Sequence, residues 1–328
     1  MTYAYLARRL ALLLPTALLA SLVVFTVMRA LPGDVAATIL SGGGETTHSP
    51  EVREALRAEL GLDDPLPVQY ARWLAAMLDG SFGGDALIDG QPIRAQIARQ
   101  APVTALLALY ALGLTLAVWL PLGVLAGWHR GRWPDHVARL AMLPGLATPS
   151  FLLALLALLG LLRLLGWSPP IVYASPFEDP WEHLLMVAIP AALLSWEYGA
   201  HVLRVARAAV AETLEQSYVR TAVAKGLPER QVVLGHALRN ALLPVLTALG
   251  VQFGTLLGGA LILESIFGLP GLGRGLVEAA LVRDFPVVQS LTTLLVLAVL
   301  LVNLALDLAY AWLDPRVSFT AEPQAVTA

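Results

Sequence analysis

Cysteine is absent from the 328-residue chain, which excludes disulfides, thiolate zinc sites, iron–sulfur clusters and cysteine nucleophiles. Lysine is almost absent as well, with Lys225 the only one. The residue after it is Gly226, whereas the phosphate-binding loop of an ATPase needs Gly-Lys followed by Ser or Thr, so that the lysine neutralises the β- and γ-phosphates and the hydroxyl holds magnesium. The chain cannot supply that site. Charge of either sign is scarce, at 14% of residues against roughly a quarter in a soluble domain. The net charge of −3 offers no basic surface for phosphate neutralisation, which argues against a nucleic-acid partner. Among the histidines the closest pair, His129 and His136, is too widely spaced for the His-Glu-x-x-His pattern that sets two zinc ligands on one helix face. No bound metal, no bound cofactor and no nucleophile–base constellation of a membrane enzyme are expected.

What the chain has instead is apolar length. Hydrophobic residues make up 57% of it and its mean hydropathy is +0.70, which requires lipid as the main solvent. A spanning helix needs about 20 apolar residues, and uncharged runs occur at 10–28, 101–128, 140–162, 240–263 and 285–306. A sixth, near 183–203, contains Pro190 and Glu197. The expected fold class is an all-α integral membrane protein of about six transmembrane helices. The first run follows Arg8 and Arg9, as in a signal peptide, but exceeds the roughly 7–15 residues of a cleaved one. A retained anchor over residues 1–31 is the better reading. Arginines concentrate in the segments around 130–139 and 204–239, while 166–182 holds none, so both termini are expected on the cytoplasmic side. Arg29 and Arg163 run mildly against that bias.

Residues 32–100 hold ten acids against five arginines and no span, and are expected to form an extracytoplasmic helical cap. Ser49-Pro50 offers an N-cap with proline at the first helical position, Val52, Leu56 and Leu60 recur every four residues, and Gly61 stops the helix. A second helix over 67–79 has Tyr70, Trp73, Leu74 and Met77 on one face. This reads as a small hairpin packed on the membrane domain, or as a contact for a delivering or capping partner. A five-span core over 101–316, with a cytoplasmic loop at 204–240, and a cytoplasmic tail at 317–328 complete the expected layout.

The loop at 204–240 is the most informative segment. Residues 217–225 suit a short amphipathic helix, Gly226 supplies its C-terminal stop beside Lys225, and Pro228 prevents continuation. Such a knob can insert into a groove of another protein and pass rigid-body motion to the spans on either side. The physical pattern is equally that of a solvated basic connector.

Tyr218-Val219-Arg220-Thr221-Ala222-Val223-Ala224-Lys225-Gly226-Leu227, followed by His236-Ala237-Leu238-Arg239-Asn240-Ala241-Leu242-Leu243-Pro244-Val245, resembles the coupling loop of ABC-transporter permeases of the dipeptide/oligopeptide/nickel branch. Leu31-Pro32-Gly33-Asp34, Leu60-Gly61-Leu62-Asp63, Gly268-Leu269-Pro270-Gly271-Leu272-Gly273 and Asp314-Pro315-Arg316 are similar to that family in order and spacing. The general permease pattern has Glu-Ala-Ala where this chain has Arg220-Thr221-Ala222, a form typical of the peptide branch. The resemblance implies a type I ABC importer permease fold. It implies as partners a second permease subunit, ABC ATPase subunits that bind ATP and magnesium, and an extracytoplasmic solute-binding protein. Arg220, Thr221, Ala222, Lys225 and Gly226 would form the ATPase-coupling loop, in a bacterial inner membrane.

Gly250, Gly254 and Gly258 lie four apart and share one helix face, an arrangement for close packing against either a helix of this subunit or the second permease. Charges inside a membrane need a reason. Glu197 and His201 could contact a translocated solute or pair with Arg204, while Glu264 and Asp307, near span ends, are expected to reach water or an arginine. The segment 268–275 reads as a tight loop, with a gate as the alternative. A self-contained secondary transporter or channel is the rival reading, though the broken helices and duplicated halves it needs are not evident in the sequence.

Overall fold

A computed structural model of the chain describes residues 3–30, 36, 40, 50–59, 61–88, 90–170 and 172–313. The Leu31-Pro32-Gly33-Asp34 segment, Ser49 and Asp314-Pro315-Arg316 lie outside the described residues, as does the side chain of Asp307. The helices are α1 (Tyr3–Ala30), α2 (Pro50–Glu59), α3 (Leu66–Leu78), α4 (Ile93–Trp128), α5 (Trp133–Ala147), α6 (Ser150–Leu165), α7 (Pro180–Leu214), α8 (Ser217–Ala224), α9 (Glu229–Phe267), α10 (Leu272–Leu281) and α11 (Phe285–Leu313). α4 contains a π-helical turn at Thr115–Trp119 and α9 one at Val232–Ala237. Among the described residues there is no strand, and the all-α class stands. Five helices, α1, α4, α7, α9 and α11, are long and apolar enough to cross a membrane.

One of the apolar runs is broken. The apolar run at 140–162 reads as one helix in the sequence, but α5 and α6 meet at a bend of 103°. Proline explains the break, because Pro149 disfavours the helical region for the residue before it. Thr148 is accordingly extended, at φ −121° and ψ 126°, and α6 starts afresh after Pro149.

α7 is the axis of the molecule, with α4, α5 and α9 packed around it. Two of these contacts rest on missing side chains. A Cβ on Gly123 would stand 2.8 Å from the Leu203 carbonyl oxygen, and one on Gly127 would stand 2.6 Å from that of Arg207. α4 therefore lies on α7 almost backbone to backbone, a G-x-x-x-G contact with its glycines four residues apart. Gly127→Leu is expected to lower stability by about 1–3 kcal/mol or more, because the added carbons meet a carbonyl that cannot retreat. Thermal unfolding in detergent measures this, and an unchanged midpoint would contradict the packing. The triad at 250, 254 and 258 behaves differently. A Cβ on Gly250 would stand 3.3 Å from Leu306 Cδ1 of α11, whereas one on Gly254 or Gly258 would meet no described residue within 4 Å. Only one of the three glycines thus packs inside this subunit.

At one end of the bundle, the cap end, a second apolar core joins Ala86, Ile93 and Ile97 to Leu272, Ala279, Val287 and Leu291. Tyr70 of α3 bonds Ser21 of α1 at 2.8 Å and sets its ring edge-on to Phe25. The Asp284 carboxylate, at the start of α11, accepts the backbone N–H groups of Leu87 and Ile88 at 2.8 and 3.2 Å. α3 and the segment after it are thus packed on the membrane helices. The opposite end carries α8.

Candidate functional site

α8 is amphipathic over little more than two turns. Val219 and Ala222 point inward against Val232 and Ala237, with Leu214 and Leu227 at the margin. Tyr218, Arg220, Thr221, Val223, Ala224 and Lys225 are exposed. The helix ends where Gly226 turns to φ +82°, a region that costs residues with a Cβ roughly 1–2 kcal/mol. There the Gly226 N–H reaches the Val223 carbonyl at 2.9 Å and the Leu227 N–H reaches that of Ala222 at 3.4 Å. Of the five residues singled out in this loop, Arg220, Thr221, Lys225 and Gly226 form free surface, while Ala222 is buried.

Polar bonds fix this knob to the bundle. The Asn240 amide donates to the Tyr218 hydroxyl at 2.7 Å, and the Trp128 indole N–H to Glu229 Oε1 at 2.6 Å. Arg130 pairs with Glu215 at 3.0 Å across the exposed surface. Deeper, Asp135 is only 1% exposed and accepts both Nε and Nη2 of Arg207, the latter at 2.8 Å, together with the Gly131 N–H at 2.9 Å. A two-pronged, nearly buried pair of this kind resists sliding. It locks the α4–α5 turn to α7 just before α8 begins. Asp135 was not singled out in the sequence, although an acid in the first turn after Trp133-Pro134 is a signal that could have marked it.

Midway along α7, Glu197 and His201 are both partly buried. The Arg204 guanidinium lies 3.1 Å from His201 Nδ1. Pairing of Glu197 with Arg204, one of its two sequence readings, is absent: Glu197 makes no hydrogen bond or ion pair with any described residue. Geometry accounts for this, since Arg204 lies two helical turns, about 10 Å, beyond Glu197 but under one turn from His201.

The cap end holds a third polar cluster, around Glu264, which is fully buried. It is closed off from bulk solvent and no arginine side chain among the described residues bonds it, whereas the sequence points to water or an arginine. Oε1 accepts the Thr104 hydroxyl at 2.6 Å, and Oε2 accepts the backbone N–H groups of Gly273 and Arg274 at 2.7 and 3.3 Å. The Leu272 N–H donates to Thr104 Oγ1 at 2.8 Å, so the threonine proton is directed at the glutamate. Every one of these neighbours donates, so both Glu264 oxygens act as acceptors and cap the N-terminus of α10. The segment 268–275, read as a loop, is therefore a turn into a capped helix. Thr104 carried no sequence signal.

Residues 119–319 match the family described as "Binding-protein-dependent transport system inner membrane component", and residues 2–108 match its companion N-terminal family. The chain belongs to this family of ABC importer permeases. The permease is 39% identical over 319 residues to a protein of Brucella melitensis biotype 1 named as a candidate peptide transport system permease, covering 97% of this chain and 100% of the relative. It is 35% identical over 315 residues to the glutathione transport system permease protein GsiC of Salmonella paratyphi A, covering 96% and 99%. The same-named protein of Pectobacterium atrosepticum is 36% identical over 315 residues, with the same coverage. The larger matched region of the permease opens at Trp119, the last residue of the π-helical turn in α4, and takes in α5 to α11.

Proposed function

We propose that this permease forms, with a second permease subunit, the path of an ATP-driven importer for dipeptides, oligopeptides or a related small solute such as glutathione. The names of its relatives support the solute class. The observation that carries the mechanism is α8: a short helix with an exposed basic and apolar face, stopped at Gly226, packed on the end of α7 and bonded to α9. Separate ABC ATPase subunits bind ATP and magnesium, close on each other, and carry α8 with them. α7 and α9 follow as rigid bodies, and the cavity between the two permeases switches its access. ATP and solute each favour particular states of one bistable assembly. An extracytoplasmic solute-binding protein delivers cargo to the cap end. The permease sits in the bacterial inner membrane, in contact with lipid, with both termini and the 217–228 loop in the cytoplasm, and binds no cofactor of its own.

Reconstitution in liposomes with the products of the adjoining genes tests this reading. Uptake of labelled alanyl-alanine or glutathione is expected to need ATP, magnesium, the ATPases and the binding protein together. Uptake by this chain alone under an ion gradient would instead establish a self-contained secondary transporter.

A further inference from the structure

α5 is clamped to α7 on one side and open on the other. Asp135 turns inward to Arg207, and Ala138 and Gly145 are buried with it. The open side carries two parallel rows. Trp133, Val137 and Leu140, four and three residues apart, are 76%, 55% and 70% exposed and form one apolar stripe. Each is preceded by a base. Arg132, His136 and Arg139 are exposed and share the adjoining face, about 100° round the helix. None of the three makes a side-chain hydrogen bond or ion pair with a described residue, although Arg139 lies within electrostatic reach of Asp135.

No acid of α5 stands on this face. Asp135 is the only one between Asp89 and Glu178, and both its oxygens are taken by Arg207 and the Gly131 N–H. Other exposed apolar faces differ: α6 shows Leu155, Leu159 and Leu162, with Arg163 as its one charge. The basic row also has a definite depth. It begins at the α4–α5 turn, at the end of the bundle that carries α8, where Arg130 meets Glu215. From Arg132 to Arg139 the helix rises about 10 Å. Side chains on a helix lean toward its N-terminus, which here is the aqueous boundary, so both arginines can snorkel to the headgroup layer while the stripe stays in hydrocarbon. Trp133 stands at that boundary, where tryptophan anchors membrane helices.

We propose that the α5 face of Arg132, His136 and Arg139 holds the headgroup of an anionic phospholipid of the phosphatidylglycerol type, with an acyl chain laid along Trp133, Val137 and Leu140. Arginine meets a phosphate through paired N–H donors. A zwitterionic headgroup fits less well, because its own ammonium would stand among two guanidinium groups with no acid to receive it. Lipid held there braces the outer side of the helix whose inner side carries the Asp135–Arg207 pair.

Native mass spectrometry of the assembled importer, released from nanodiscs of equimolar phosphatidylglycerol and phosphatidylcholine, tests the site. The wild type is expected to retain phosphatidylglycerol roughly fivefold or more over phosphatidylcholine. Arg132→Gln with Arg139→Gln should abolish most of that preference, the corresponding pair of lysine substitutions should keep much of it, and Arg163→Gln should leave it unchanged. Arg132→Gln alone, at the N-cap, should give a partial loss, and it carries the test if the double variant does not assemble. No preference in the wild type, or a preference indifferent to the glutamine substitutions, overturns the site. Glycerol 3-phosphate in millimolar excess, which has the phosphate and no acyl chain, should not displace the lipid. Displacement would overturn the lipid assignment in favour of a soluble phosphate ester.

Discussion

Gly226→Val is expected to leave the permease folded and inserted, while uptake per ATP hydrolysed falls by an order of magnitude or more. Gly226 holds φ +82°, and no described residue lies within 4 Å of the position its Cβ would occupy. The substitution therefore meets no internal clash, only backbone strain of about 1–2 kcal/mol, small enough for a domain to absorb. Its effect falls on the direction in which the chain leaves α8 and on any surface seated against that turn. A control separates strain from coupling. Gly166 ends α6 in the same left-handed region, at φ +63° and with equally open surroundings, so Gly166→Val carries a comparable cost away from α8. Simultaneous measurement of uptake and phosphate release in proteoliposomes should show uncoupling for the first variant alone. If both variants keep the wild-type ratio, α8 does not transmit the stroke.

The second large effect is on stability. Glu264→Ala removes the acceptor for the Thr104 hydroxyl and for the amides of Gly273 and Arg274, all in a site closed to water. Leaving a buried donor without its acceptor costs about 1–3 kcal/mol, and the hydroxyl and two amides are stranded together, which corresponds to a fall in the unfolding midpoint on the order of 5–10 °C. Glu264→Gln should cost less, because its carbonyl oxygen still accepts, although its NH2 group then faces a donor. Hydrogen exchange over 268–281 locates the loss, with α10 expected to lose protection first. A variant with alanine that melts with the wild type would show that the α10 cap is dispensable.

Much of the fold was legible because lipid permits few solutions. Runs of uncharged residues marked the spans, and the stop formed by Lys225, Gly226 and Pro228 marked the end of α8, because glycine and proline act through local backbone terms that survive without context. What sequence could not assign was partnership. Gly123 and Gly127 have the same spacing as Gly250, Gly254 and Gly258, yet the first pair meets a helix backbone and two of the later three meet nothing. Periodicity tells which residues share a face, not what that face touches. The acids repeat the lesson: burial cost flags Glu197 and Glu264 alike, but the donors that satisfy Glu264 come from Thr104, 160 residues away, and from the α10 turn. Pro149 marks the break before α6, but the run around it carries no charge, so hydropathy alone reads one continuous span.

The bond between Asp284 and the amides of Leu87 and Ile88 also sets an order of events during biosynthesis. Its two halves are separated by 197 residues of chain. At a synthesis rate of about 5–20 residues per second, the cap waits roughly 10–40 s for the carboxylate that fastens it. Throughout that interval the earlier spans can already be in the bilayer while those amides are still bonded to water. Maturation of the cap end therefore finishes only when the last helix arrives, and a ribosome that stalls before α11 leaves an inserted but unlatched protein for quality control to find.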